Sequence, residues 1–241
     1  MFAVWIFPPI GAAFGIVGFI ASDGGAFPPE SCIFTLCLSM SAIFSVLGSY
    51  IRHLHVVEFY ECQMKRTDVW WKNLSNRLFI AGVLTALGML AIAAISIRAH
   101  FFMHMVATVS TFCMGNVYGW GQLYLMYYLT PRMSPDWLLY LRAGLGAILT
   151  FMCILITLAV STRLFIPADA PWYELDWDDY KPWLIGPESP VIAAGCEWII
   201  VLTFYTLIGT IAVEFKQITA NHPRILFLNS VNDEDECRKS K

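Results

Sequence analysis

The sequence predicts an all-α membrane protein, a bundle of six transmembrane helices with both ends in the cytosol, and three observations carry that expectation. Of the 241 residues, 58% are hydrophobic and 14% are charged, and mean hydropathy is +0.61; soluble domains run at about 45–50% apolar and about 25% charged. Six runs nearly free of charge recur at residues 2–21, 31–51, 78–97, 101–125, 137–160 and 191–213. Each matches the ~20 helical residues that a bilayer core takes. Finally, Lys and Arg alternate in density between successive loops, as they do when one face of the membrane is cytosolic.

The runs take their ends from local signals. The first is interrupted by Pro8 and Pro9 and has no basic residue ahead of it, which reads as a short or tilted span rather than a cleaved leader. The second opens with Pro28-Pro29-Glu30-Ser31. Proline suits the first helical turn, and an acid is stabilised there by the positive end of the helix dipole. Ser134-Pro135-Asp136 repeats the device before the fifth run. Gly11…Gly15 and Gly115…Gly119 are GxxxG patterns suited to close helix contact. The expected division is a transmembrane domain over 1–220 and a short, disordered cytosolic tail over 221–241.

Orientation follows from the cations. Arg52, Lys65, Arg66, Lys72 and Arg77 follow the second run, Arg132 and Arg142 flank the turn between the fourth and fifth, and Lys216, Arg224, Arg238, Lys239 and Lys241 follow the sixth. The other side holds Arg98, Arg163 and Lys181. This asymmetry places both ends in the cytosol. The sequon Asn73-Leu74-Ser75 then faces the cytosol and stays unmodified. Residues 161–190 form an acidic, aromatic luminal loop. Net charge is −3, with no basic surface of the kind that binds nucleic acid. The seven cysteines lack CxxC or metal-finger spacing and read as buried thiols.

Three groups of residues could carry function. Charges inside spans are costly and mark functional candidates. Asp23 and Glu30 at the junction of the first two runs, His104 near the start of the fourth and Glu197 within the sixth converge on the luminal leaflet, with Glu197 and His104 the candidate catalytic pair if the chain is an enzyme. His100 and His104 are one helical turn apart, the spacing of a helical zinc site, but no third ligand is fixed, and no cofactor or metal is expected. No G-x-S-x-G elbow or other nucleophile–base set occurs. On the cytosolic side, Arg52, Lys65, Arg66 and Lys72, interleaved with Tyr60, Trp70 and Trp71, suit a loop (52–77) that docks on anionic lipid or a cytosolic protein partner. Arg142 lies near enough to the cytosolic end of its span to snorkel toward headgroup phosphates.

The stretch ASDGGAFPPESCIF (21–34), followed by Tyr50-Ile51-Arg52, resembles the damage-regulated autophagy modulator family and its transmembrane-150 relatives. Further matches are His104, Thr111-Phe112, Met114-Gly115 and Tyr118 in the fourth run, and Cys196-Glu197-Trp198 with Phe215-Lys216-Gln217-Ile218 around the sixth. That resemblance implies a six-span, non-enzymatic regulator in lysosomal or other endomembranes, with the ER or plasma membrane as the alternative. The wider superfamily also implies a second class of function, a lipid-remodelling enzyme or accessory subunit (GPI-anchor or phosphoinositide related) using the luminal Glu197 and His104. A pore or transporter is a third class, but the chain has no evident internal repeat or paired broken helices.

Overall fold

The computed structural model describes residues 4–21, 29–96, 100–129, 134–161 and 189–216. Among these, a short 3-10 turn (Val4–Ile6) leads into six helices: α1 (Phe7–Ala21), α2 (Glu30–Val57), α3 (Trp70–Ala94), α4 (Phe101–Tyr128), α5 (Asp136–Ser161) and α6 (Ser189–Phe215). Four of them, α2, α3, α5 and α6, are long and apolar enough to cross a membrane. The chain is a membrane protein. α4 has 28 residues, or about 42 Å of rise, and no formal charge, but His104, Asn116 and Gln122 dilute its apolarity. α1 has 15 helical residues, about 22 Å, which agrees with the short first span read from Pro8 and Pro9.

Each helix packs antiparallel on the next, and α1 closes the ring against α6. Side-chain contacts fix the register. Thr35 donates to the Ala93 carbonyl at 2.9 Å at one end of the α2–α3 pair, and His53 meets Ser75 at 2.9 Å toward the other. Gly88 and Gly121 sit so close to Thr111 and Leu78 that a Cβ on either would overlap them, which draws α3 and α4 together. Trp120 Nε1 donates to Thr150 Oγ1 at 2.9 Å across α4–α5. Phe19 meets Trp198 edge-on at 4.6 Å, and Lys216 Nζ stands 5.8 Å over the Trp5 ring. The start of α1 and the end of α6 therefore lie at one end of the ring, together with the α2–α3 connection. A central core around Ala12, Ala42, Met89, Leu149, Phe204 and Tyr205 joins five of the helices, and Phe112 of α4 packs against it.

The helix starts at Pro29-Glu30 and at Asp136 fall where the prolines and acids placed them. The expected 52–77 loop is different. α2 continues to Val57 and passes into a π-helical turn, Glu58–Gln63, closed by the Met64 amide on the Phe59 carbonyl at 3.0 Å. α3 begins at Trp70, leaving residues 64–69 as the connection. Lys65 turns the chain with φ of 49°. The Asn73-Leu74-Ser75 sequon lies within the first turns of α3, with Ser75 buried. Asp23, residues 162–188 of the expected luminal loop and the 221–241 tail lie outside the described residues.

Candidate functional site

Polar groups gather at two places in the ring, one toward each end. At the end that holds the α2–α3 connection, Arg52 of α2, Arg142 of α5 and Glu214 of α6 meet in the interior, at 1%, 7% and 1% exposure. Arg142 makes a two-pronged contact with the carboxylate, Nη1 to Oε1 and Nη2 to Oε2, both at 3.1 Å. Its Nε donates to Thr210 Oγ1 at 2.9 Å, and the Ser134 hydroxyl donates to Glu214 Oε1. The serine that precedes α5 thus serves Glu214.

Arg52 is less completely matched. Its Nε donates to Gln122 Oε1 at 3.1 Å. Its Nη1 lies 3.1 Å from Glu214 Oε2, an ion-pair distance but off the line of a hydrogen bond, and its Nη2 has no partner among the described residues. The cluster therefore sets two guanidiniums against one carboxylate in a buried place. Isolated buried charge costs several kcal/mol, so pairing and hydrogen bonding decide whether such a group is tolerated. Val56, Tyr60, Trp71, Leu125 and Leu129 form a buried apolar cluster just beyond it, on the connection side.

Arg52 was expected on a docking surface, and its burial removes it from that surface. Of the other three residues expected there, Lys65 and Lys72 are exposed and Arg66 is half-buried. Acidic neighbours offset them. Lys72 pairs with Glu61 at 2.8 Å, and Arg66 lies 3.8 Å from Asp68. With Glu58, and with Arg77 also exposed, the 52–77 segment sets three acids against four bases outside the interior, so it is mixed in charge. Arg142, expected to snorkel toward headgroups, is likewise committed to the interior.

The second cluster lies toward the opposite end. His104, half-buried, and Glu197, exposed, line one open cavity with Thr108, Thr111, Tyr205 and apolar side chains; the space between atoms there, open solvent included, is about 620 Å³. They share this cavity, but no hydrogen bond joins them. His104 Nδ1 donates to the Ile95 carbonyl at 2.6 Å, since a carbonyl only accepts; this fixes the ring over the end of α3 and leaves Nε2 as the other available nitrogen. Ser110, farther along α4, is exposed and contributes nothing to this cavity. Glu30 opens α2 at the same end. His100 precedes α4 and is exposed. Among the described residues, no three His, Cys, Asp or Glu side chains come close enough to hold a metal ion.

A family model described as the Frag1/DRAM/Sfk1/Cwh43P N-terminal domain matches residues 10–218, which takes in five of the six helices whole and most of α1. The chain belongs to this family. Among curated Frag1/DRAM/Sfk1 relatives, human "Modulator of macroautophagy TMEM150B" is 26% identical over 80% of this chain and 69% of its own length. Rat "DNA damage-regulated autophagy modulator protein 2" is 24% identical over 82% and 72%, and Xenopus laevis "Modulator of macroautophagy TMEM150B-B" is 24% identical over 88% and 79%. No solved structure matches. The family resemblance carried by Tyr50-Ile51-Arg52 and by the segment around Phe215 acquires a physical meaning here, because Arg52 and Glu214 are partners in the interior.

Glu214 and Gln122 do not stand out in the sequence, and Ser134 stands out there only as part of a helix start. The available signal was depth: Arg52, Arg142 and Glu214 all lie near the same end of their spans, with signs that permit pairing.

Proposed function

We propose that this chain is a non-enzymatic, multi-pass membrane regulator of autophagy in endolysosomal membranes, with both chain ends in the cytosol. The observation that carries this reading is the match, over about four fifths or more of the chain, to relatives named as modulators of autophagy. The interior chemistry supports it. Arg142 and Glu214 are consumed by each other and by hydroxyls, an arrangement that builds a bundle rather than presenting a reactive group. Regulation then falls to surfaces, and the exposed turn with Lys65, Arg66 and Lys72 is the place where a cytosolic protein would make contact.

The test is autophagic flux in cells lacking the protein, re-expressing either unaltered chain or Glu197→Gln at matched abundance. Both should restore flux, and the tagged protein should co-localise with endolysosomal markers. Flux indifferent to loss of the protein would reject the reading.

One observation favours a second reading. Glu197 and His104 line the same cavity, as a lipid-remodelling enzyme would need them to. In that case Glu197→Gln should abolish a lipid conversion without loss of protein, commonly by about 10²-fold or more. Lipid profiles of the same cells separate the two: a lipid accumulating equally with Glu197→Gln and in the null line establishes the enzyme, and an unchanged profile with restored flux removes it.

A further inference from the structure

Beside the Arg52 guanidinium is a cavity that the described packing leaves unfilled. It is lined by residues of all six helices, and the space between atoms there, open solvent at its mouth included, is about 830 Å³. At one end stand Arg52, Gln122 and Arg142; toward the middle of the bundle the walls become apolar, with Phe44, Leu207 and Ile211. Phe204 lines both this cavity and the one holding Glu197, and divides them. The phenol of Tyr118 and the hydroxyl of Ser45 also line the cavity, and like Arg52 Nη2 they are buried with no hydrogen-bond partner among the described residues. Two glycines of the lining, Gly48 and Gly119, face open space where a Cβ would meet nothing within 4 Å.

These facts have a common explanation. Buried polar groups in folded proteins are nearly always satisfied, and a buried cation in excess of its counter-charge is costly. Here the excess is one positive charge, the unmatched atoms are donors or hydroxyls, and empty space adjoins them. We propose that the cavity binds a compact oxyanion of the phosphate class, held by Arg52 and the Tyr118 hydroxyl, with Ser45 and Gln122 nearby. Phosphate suits a guanidinium because its oxygens accept two N–H bonds in one plane. The same chemistry reaches the site from two sources, a free phosphate ion or the headgroup of an anionic lipid whose chain follows the apolar wall. The assignment rests on the interior geometry and holds whether or not the chain regulates autophagy.

The test is thermal unfolding of the full-length protein in nanodiscs. In one arm the discs contain only phosphatidylcholine, and inorganic phosphate is titrated against chloride at matched ionic strength. In the other, phosphatidic acid replaces part of the phosphatidylcholine. The site predicts a saturable rise in unfolding temperature in at least one arm, and the responding arm identifies the source. Arg52→Gln leaves the Arg142–Glu214 pair in place and removes the excess charge; apparent affinity should fall by about 10- to 100-fold, as expected for loss of a charge-assisted bond. Gly119→Leu fills the cavity without touching a charge, so the variant should fold and lose the response. A response retained in both variants would assign the effect to surface electrostatics and overturn the site. No response in either arm would overturn it as well.

Discussion

Arg142 and Glu214 face each other end-on, Nη1 to Oε1 and Nη2 to Oε2 at 3.1 Å each, and so tie α5 to α6 by two parallel charge-assisted bonds. A lysine cannot reproduce that fork. Arg142→Lys should therefore lose about 1–3 kcal/mol, the worth of a hydrogen bond to a charged group. Glu214→Ala should lose more, about 3–5 kcal/mol, because it strands two guanidiniums in the interior. Unfolding in detergent, followed by tryptophan fluorescence, ranks the two variants. Equal and negligible losses would show that the pair is not structural.

The contact between α3 and α4 yields a comparison within one helix. Gly121 is pressed against Leu78, whereas Gly119, two residues away, faces the cavity. Gly121→Ala should cost about 1–3 kcal/mol by overpacking. Gly119→Ala should be neutral or stabilising, by up to about 1 kcal/mol, through helix propensity alone. Thermal melts of the two variants check the sign of each.

Topology is tested by single cysteines in a background free of reactive thiols. Lys65→Cys and Lys216→Cys lie at one end of the ring and His100→Cys at the other, and all three positions are exposed. A membrane-impermeant maleimide should label the first two from the cytosol and the third only after the luminal side is opened. Labelling of Lys65→Cys and Lys216→Cys from opposite sides would break the six-helix ring.

The exposed turn between α2 and α3 should respond weakly to loss of its bases. Three basic residues beside an anionic surface would contribute about 1 kcal/mol each, but Lys72 and Arg66 already face acids. Lys65, Arg66 and Lys72 replaced together by Gln should thus weaken binding to anionic vesicles by well under about 3 kcal/mol. Vesicle co-sedimentation measures it. A loss near the full value would mean that the acids do not offset the bases.

Much of the architecture was legible because it is written locally. Apolar runs of bilayer length, Pro29 and Glu30 at the start of α2, and Pro135 and Asp136 at the start of α5 each act within a few residues, and the helices begin where those residues dictate. The interior site was not legible in the same way. Counting charge marked Arg52 as the first residue of a loop and stopped the sixth run at Val213, one residue short of Glu214. Whether such residues face lipid, water or each other depends on the order of helices around the ring, which no short stretch encodes. The 52–77 segment misled for a related reason. Its bases stand out in the sequence, but Glu58, Glu61 and Asp68 lie between them, and the helix that runs on past Arg52 buries Val56 and Tyr60 on the same side, against Trp71 of α3. His104 and Glu197 were placed at the same end from their depth alone, and they do share a cavity.

Closure of the ring by α1 against α6, with Lys216 over Trp5, has a consequence for how the molecule can be re-engineered. Since the first and last helices are neighbours and their outer ends coincide, the order of the chain is almost independent of the order of the walls. A linker from Lys216 to Val4, with new ends cut into residues 64–69, would give a circular permutant with the same six neighbours and the same polar interior. The point of entry into the ring would become a matter of synthesis rather than of architecture.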